Sequence, residues 1–220
     1  EFPGVGVNAS AGLHSNRSPA ERSDAGSSPN TIRNTMMSTL DVTRDGDVEI
    51  RHAQADDVQA IAALYAWHVL NGRASFEEVP PSIDEMHERM RSIQEQGLPW
   101  LVALYRGEVV GYCYASPYRP RPAYRYTLEE SIYVDSTMTA HGIGSSLLTA
   151  LIAICEQGPR RQLLAVIGDG NNNTGSLRLH KKHGFEVVGQ LRSVGYKMGD
   201  WRDTVIMQRP LNDGDWTLPE

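Results

Sequence analysis

The chain has 220 residues and two cysteines, carries a formal net charge of −6 at pH 7, and is 40% apolar. Such a length can bury the core of one globular domain with an appendage. The acidic balance, without any basic block, argues against a general nucleic-acid binder. No apolar run approaches the ~20 residues that span a bilayer. The first residues also lack the features of a signal peptide, so we expect a cytoplasmic protein.

Residues 1–47 are rich in Gly, Ser, Asn, Ala and Pro, and Phe2 is their only aromatic residue. Such a segment cannot offset its ordering entropy by burial, which predicts disorder. The chain begins with Glu1-Phe2, and Met36-Met37 lies shortly before the first patterned strand. This arrangement suggests a cloning-derived leader or translated upstream sequence, with a regulatory tail as the alternative.

Regular patterns begin at residue 48, where apolar and polar residues alternate as in a half-buried strand. A helix is predicted from Asp56-Asp57 to Asn71-Gly72, because Val58, Ile61 and Tyr65 share one face. A second helix follows at 83–94. Two strands come next, at 100–105 and 109–115, and Arg106-Gly-Glu makes the hairpin turn between them.

A Pro/Arg loop at 117–123 leads to a strand that ends at Val134. A helix is then predicted from Gly142, since Ile143, Leu147, Leu148, Leu151, Ile152 and Cys155 recur at helical spacing. The remaining elements are a strand at 163–167, a helix between Asn173 and Gly184, and strands at 185–193 and 204–208. This order of elements predicts an α/β (α+β) domain.

Residues 129–144 are the most informative stretch, because they run from a carboxylate-led strand into Gly142-Ile-Gly144 at the start of a helix. Glycines let the backbone approach a pyrophosphate, and the free amides of a helix N-terminus donate to it. The third glycine and the distal acidic residue of a dinucleotide fingerprint are missing. By itself the glycine pair is also compatible with a tight turn that binds nothing.

The succession of motifs in this half of the chain resembles the GNAT superfamily of N-acetyltransferases, and within it the phosphinothricin and methionine sulfone N-acetyltransferase group. After the glycine pair come Asn173-Thr-Gly-Ser176, Leu179-His180 and His183-Gly-Phe185. Further matching residues are Ser75-Phe76, Tyr118 to Tyr124, Thr127-Leu-Glu129, Tyr133-Val134, Gly195-Tyr-Lys197 and Gly199-Asp-Trp201-Arg-Asp203. The resemblance predicts an N-acetyltransferase domain over residues 48–211, followed by a C-terminal tail at 212–220.

The resemblance implies a GNAT-like mixed, mostly antiparallel sheet, flanked by helices and splayed where it binds acetyl-CoA as cosubstrate. Pantetheine would pair with the backbone of Ile132, Tyr133 and Val134. The pyrophosphate would lie on Ala140, His141, Gly142, Ile143, Gly144 and Ser145. Thr139 stands where the family usually has Gln or Arg, which removes one side-chain contact. Asn173 is expected to contact CoA, to cap its helix, or to do both.

The resemblance also implies the catalytic residues. Glu129 matches the family's base, which takes a proton from the acceptor amine directly or through a water. Glu130 should point to the opposite face of a regular strand, in a structural or solvated role. His180 occupies the position of a tyrosine that many members use to donate to the departing CoA thiolate. A packed, hydrogen-bonded structural histidine is the equal alternative.

By the same resemblance, five residues are candidates for substrate selection: Phe76, Arg121, Tyr124, Tyr126 and Lys197. The planar fork of arginine suits a carboxylate or phosphinate, which favours Arg121 over Lys197. The aromatic residues could equally be ordinary core or loop anchors, and Trp201 is expected to anchor the late hairpin.

The expected reaction is direct transfer of the acetyl group of acetyl-CoA to the α-amino group of a small amino-acid-like substrate. Phosphinothricin and methionine sulfone or sulfoximine are the implied acceptors. The alternatives are an acetyltransferase for a peptide N-terminus or other amine, and a non-catalytic acetyl-CoA sensor. We expect a homodimer that needs no metal. Cys113 and Cys155 are predicted to be buried free thiols, so no acetyl-cysteine intermediate is required.

Overall fold

The computed structural model describes residues 43–45 and 47–219. The described helices, in chain order, are α1 (Val58–Asn71), α2 (Ile83–Glu95), α3 (Ile143–Cys155) and α4 (Thr174–Lys182). The described strands are β1 (Thr43–Asp45), β2 (Val48–His52), β3 (Trp100–Tyr105), β4 (Glu108–Pro117), β5 (Thr127–Val134), β6 (Gln162–Gly168), β7 (Glu186–Lys197) and β8 (Asp200–Pro210). The expectation of disorder for residues 1–47 lies outside the described residues up to residue 42 and at residue 46, whereas Thr43–Asp45 within that range forms β1 and pairs with β2.

The described strands form one sheet in the order β1-β2-β3-β4-β5-β6-β8-β7. All neighbours are antiparallel except β5 and β6, which pair in parallel from Thr127–Gln162 to Glu130–Ala165. Beyond Glu130, β5 stays with β4 while β6 stays with β8. The sheet therefore opens between its two central strands, and the predicted fold class is confirmed.

Each face of the sheet is covered by a helix layer with its own apolar core. On one face, Ile61 and Tyr65 of α1 and Met86 of α2 pack with Trp100 and other strand residues. On the other face, α3 buries an apolar stripe against side chains such as Leu128 and Leu163. Successive strand residues point to opposite faces, so β5 sends neighbouring side chains into the two layers.

The late hairpin is longer than its predicted strands. β7 runs past Ser193 to Lys197 and β8 starts at Asp200, with Met198 and Gly199 turning in the left-handed region at φ 53° and 76°. The interior glycine Gly195 and the polar residues of this stretch mask its strand pattern. Tyr196 and Trp201 are paired across the strands with ring centroids 5.3 Å apart, which agrees with the expected anchoring role of Trp201.

The C-terminal segment packs back onto the domain. The side chain of Asn212 donates to the backbone carbonyls of Gly158 and Arg160, and Arg161 donates to that of Leu218. Both cysteines are buried and free, as predicted. Within residues 43–45 and 47–219, no helix has the length and apolarity to cross a membrane.

Candidate active site

A cavity of about 980 Å³ lies where β5 and β6 separate. Its walls are the end of β5 (Ile132, Tyr133 and Val134), the start of α3, the start of α4 and the segment from His68 to Ser75. Most of the predicted cofactor residues therefore line one space: Ile132, Tyr133, Val134, Ala140, Gly142, Ile143, Gly144, Ser145 and Asn173. His141 is exposed beside it, and its Nδ1 lies 3.0 Å from the carbonyl oxygen of Thr139.

The start of α3 presents backbone donors to this cavity. Gly142 precedes the helix in a left-handed conformation (φ 79°), and no side chain among the described residues caps the helix. The turn is closed by a hydrogen bond from Ser146 N to Gly142 O (3.0 Å), so the amides of Ile143, Gly144 and Ser145 lie ahead of the helical ladder. Free amides at a helix N-terminus form a site for an anion such as a pyrophosphate.

The start of α4 is satisfied by a side chain instead. Asn173 Oδ1 accepts from Ser176 N, and its Nδ2 donates to Gly168 O, both at 3.3 Å. Asn173 thus caps α4 and ties it to the end of β6, while also lining the cavity. The two expected roles of this residue are compatible in the structure.

Several residues that line the cavity were not predicted from the sequence as site residues. Arg73, Arg178 and Lys182 bring positive charge to the cavity wall, and Lys182 Nζ donates to Ser145 Oγ at 3.1 Å. His68 Nε2 donates to the carbonyl oxygen of Val134 (2.9 Å), which belongs to the strand end expected to pair with pantetheine. Burial lowers the pKa of His68. The only sequence signal for the cations was their proximity to the recognised motifs.

Glu129 pairs with Leu164 of β6 just before the sheet opens, so it lies at the edge of the opening but is not among the residues that line the cavity. It is half-buried, on the opposite face of β5 from Leu128 and Glu130. Burial raises its pKa, the neighbouring Glu130 raises it further, and the guanidinium of Arg119 partly opposes them. A raised pKa makes a carboxylate a stronger base, which holds a proton more readily than an ordinary glutamate. Arg119 belongs to the Pro/Arg loop at 117–123 and was not predicted as a site residue.

His180 lies on α4 with no exposed surface, and its Nε2 is 2.6 Å from Glu130 Oε1. It does not belong to the cavity wall. The structure therefore places the two predicted catalytic residues on opposite sides of β5. This location agrees with the packed, hydrogen-bonded alternative for His180.

The predicted substrate residues form two groups. Arg121, Tyr124 and Tyr126 belong to the loop that joins β4 to β5, which is closed by a hydrogen bond from Tyr118 N to Thr127 O (3.2 Å). Arg121 is exposed. The ring of Tyr124 packs edge-on against Tyr118, and Arg125 lies over the ring of Tyr126.

The other group fastens the segment after α1 to β7. Lys197 is buried, its Nζ donates to the carbonyl oxygen of Ser75, and burial lowers its pKa. The ring of Phe76 covers Gly195 so closely that a Cβ there would come within 2.5 Å of it. A larger residue at position 195 would therefore have to displace the Phe76 ring. The Lys197 ammonium is used within the fold, whereas the Arg121 side chain is exposed.

The opened sheet, with the uncapped start of α3 lining its gap, is an arrangement suited to an enzyme that binds a long, phosphate-containing cosubstrate. Residues 50–206 match the model of a protein family that is described as the acetyltransferase (GNAT) domain. The phosphinothricin N-acetyltransferase of Alcaligenes faecalis is 54% identical over 171 residues, covering 78% of this chain and 86% of that protein. The L-methionine sulfoximine/L-methionine sulfone acetyltransferase of Pseudomonas paraeruginosa is 36% identical, covering 74% and 94%.

Among solved structures, the phosphinothricin acetyltransferase of Sinorhizobium meliloti in complex with AcCoA superimposes with a TM-score of 0.76. It is 43% identical, and the match covers 80% of this chain and 94% of that one. The chain therefore belongs to the GNAT acetyltransferase family. This membership confirms both the predicted family and the predicted enzyme class.

Proposed function

We propose that this protein transfers the acetyl group of acetyl-CoA to the α-amino group of a small amino-acid-like substrate such as phosphinothricin, methionine sulfone or methionine sulfoximine. The carrying observation is the opening between β5 and β6, with uncapped amides at its α3 wall and Glu129 at its edge. The names of the Alcaligenes and Pseudomonas relatives support this acceptor class.

The walls of the cavity fit acetyl-CoA, which supplies an activated thioester when bound. The amides of Ile143, Gly144 and Ser145 would hold its pyrophosphate, and Arg178 and Lys182 would add positive charge. The backbone of Ile132, Tyr133 and Val134, freed from β6, would pair with the pantetheine arm. These assignments give the Thr139 side chain no contact with the cofactor, because its hydroxyl donates to Ser136 O within the turn.

Glu129 is the proposed general base. The acceptor is a protonated amine at neutral pH, so one proton must be removed before nitrogen can form a bond to the acetyl carbon. Glu129 would accept that proton directly or through a water. Attack forms the carbon–nitrogen bond and the carbon–sulfur bond breaks. The second proton that the nitrogen loses as it becomes the amide passes to the CoA thiolate. With a pKa near 8.5, a thiolate needs little assistance to leave.

Arg121 is the proposed partner of the substrate carboxylate or phosphinate. We expect Arg121→Ala to raise KM for amino-acid acceptors about 10- to 100-fold, because a hydrogen bond to a charged group contributes about 1.5–3 kcal/mol. Arg91→Ala, on the solvent-facing side of α2, is the control and should leave KM unchanged. An unchanged KM in Arg121→Ala as well would rule out the carboxylate clamp.

The function is tested by measuring CoA thiol release with a panel of amines. The panel contains amino acids, their sulfone, sulfoximine and phosphinate analogues, and peptides with free N-termini. We expect fastest turnover with the small analogues. Preference for the peptides would indicate a peptide N-terminal acetyltransferase, and tight acetyl-CoA binding without turnover on any amine would indicate a sensor.

A homodimer is the proposed assembly. β7 is the edge strand, and the hairpin it forms with β8 exposes large apolar side chains: Val187, Val188, Leu191, Val194, Tyr196 and Trp201. A second copy would remove this surface from water. Light scattering should give the mass of two chains for the protein and for the control Val79→Glu, and of one chain for Leu191→Glu. A single-chain mass for the unaltered protein would contradict the dimer.

The proposed location is the cytoplasm, supported by the two free cysteines.

A further inference from the structure

The buried contact between Glu130 and His180 lies where the sheet opens. Glu130 forms the last pair between β5 and β6, opposite Ala165, and is only 4% exposed. Its Oε1 reaches Nε2 of His180, in the last turn of α4, at 2.6 Å. This contact joins the strand that carries the proposed base to the helix whose first turn lines the cofactor cavity.

The hydrogen-bond partners of His180 fix where its protons lie. Nδ1 is 2.7 Å from the carbonyl oxygen of Ser176, which can only accept, so Nδ1 carries a proton. Nε2 and Glu130 Oε1 then share one further proton. Burial lowers the pKa of His180, but the hydrogen bond and charge of Glu130 outweigh it and raise the pKa overall. The raised pKa favours the imidazolium form of His180 beside Glu130.

A buried ion pair of this kind is a costly way to hold two elements together. Removing both charges from water carries a large penalty, and well-packed apolar side chains would join strand and helix as well or better. Moreover, Oε2 of Glu130 is buried without a hydrogen-bond partner among the described residues. What a short, directional bond adds over apolar packing is a fixed distance and orientation.

The pair also lies between the two halves of the proposed chemistry. Glu129 precedes Glu130 on the strand and points to the other face, while Asn173 and Ser176 at the start of α4 line the cavity. The ring of His180 packs edge-on against Phe185, 5.1 Å between centroids, and has no exposed surface. Neither nitrogen of His180 is available to a ligand, because both are already bonded within the fold.

We propose that Glu130 and His180 form a positioning pair for acetyl transfer. By clamping β5 to α4 where the sheet opens, the pair sets the distance between Glu129 and the cofactor cavity. The negative charge of Glu130 also acts on Glu129 beside it. This inference rests on the proposed function and gives His180 a role that acts through Glu130 rather than on the CoA sulfur.

The other titratable groups around the pair are neutral at working pH. Cys113 on β4, Cys155 on α3 and Tyr133 on β5 feel the charge of Glu130, and burial raises the pKa of each above its ordinary value. Glu129 itself also feels the charge of Arg119 in the loop between β4 and β5. A pH profile that responds to Glu130 therefore reports Glu129 and His180 rather than these three groups.

The test compares Glu130→Gln, His180→Gln and the double variant with the unaltered protein, using acetyl-CoA and the best acceptor from the amine panel. Each single change should lower kcat at least about tenfold, because small displacements of reacting groups are expensive. The double variant should be no worse than either single one, since both changes break the same contact. In Glu130→Gln, the acidic limb of kcat/KM should also move to lower pH.

Asp57→Asn is the matched control, because Asp57 is another buried carboxylate in an ion pair, with Arg51, outside the site. It should lower the Tm while leaving kcat and the acidic limb unchanged. If Glu130→Gln and His180→Gln also lower only the Tm and leave kcat and the acidic limb unchanged, as expected for Asp57→Asn, the pair is merely structural and the inference fails. If His180→Gln lowers kcat strongly, and the losses of the two single variants add up in the double variant, His180 would instead have a direct role. Absence of turnover in the unaltered protein would defeat the proposed function itself.

Discussion

The two strand-to-helix junctions that border the cavity use similar residues to different ends. Both lead from a central strand into a helix whose second residue is glycine, Gly144 in α3 and Gly175 in α4. At α4, the side chain of Asn173 satisfies the first turn. At α3, Gly142 brings no side chain, and the first-turn amides stay available.

This difference separates a helix start with free backbone donors from one that is completed by its own cap. The free donors of a helix start are satisfied by its own cap, by water or by a ligand, and only an uncapped start leaves them available to a ligand. Gly144 is also held close, since a Cβ there would come 3.2 Å from Leu179 and 3.7 Å from Val134, whereas a Cβ on Gly175 would meet nothing within 4 Å. We therefore infer that α3 holds the cofactor and that α4 supports its wall.

The largest effect is expected at Gly144. In Gly144→Val, the branched side chain would crowd Leu179 and the end of β5 and would shield the first-turn amides. We expect the Kd for acetyl-CoA, measured by titration calorimetry, to rise at least about tenfold, equivalent to ~1.4 kcal/mol.

The matched change at the other junction is Gly175→Ala. It should leave the Kd within about twofold and stabilise the protein by about 0.5–1 kcal/mol, because alanine favours the helix and finds open space. Equal Kd values for the Gly144 and Gly175 variants would remove the distinction between the two junctions.

A smaller effect is expected at Asn173. Asn173→Ala removes the α4 cap and should lower the free energy of unfolding by about 1 kcal/mol, measured by urea denaturation. The Kd for acetyl-CoA should rise only a few-fold, since the α3 amides remain. A loss of binding as large as in Gly144→Val, with unchanged stability, would make Asn173 primarily a cofactor ligand.

The smallest effect, and an improvement, is expected from Thr139→Arg. Restoring a residue type usual in the family should add one charge-assisted contact to the pyrophosphate and lower the Kd a few-fold at low salt. The gain should shrink as ionic strength rises, because an exposed charge is screened. Thr139→Ala is the control, and an identical Kd in both variants would show that this position does not reach the cofactor.

Local patterns predicted most of the fold because they report short-range physics. The spacing of Ile143, Leu147 and Leu151 defined α3, and Asn173 and Gly184 bounded α4. The late hairpin was underestimated, because Gly195 interrupts a strand that is completed by its neighbour. The cavity-lining Arg73 and the Glu130–His180 contact could not be predicted, since they depend on residues brought together only by the folded sheet.

The central claim is that Glu129 is the base for acetyl transfer to an amine. The most direct measurement is the pH dependence of turnover for the unaltered protein and Glu129→Gln, with phosphinothricin and saturating acetyl-CoA. Burial raises the pKa of Glu129. As the pH is lowered, the unaltered protein should therefore begin to lose activity at a pH above the pKa of an ordinary glutamate. Glu129→Gln should lose about 100-fold or more near neutral pH and recover as the free amine becomes abundant. An equal loss at every pH would contradict the claim and leave Glu129 a positioning role.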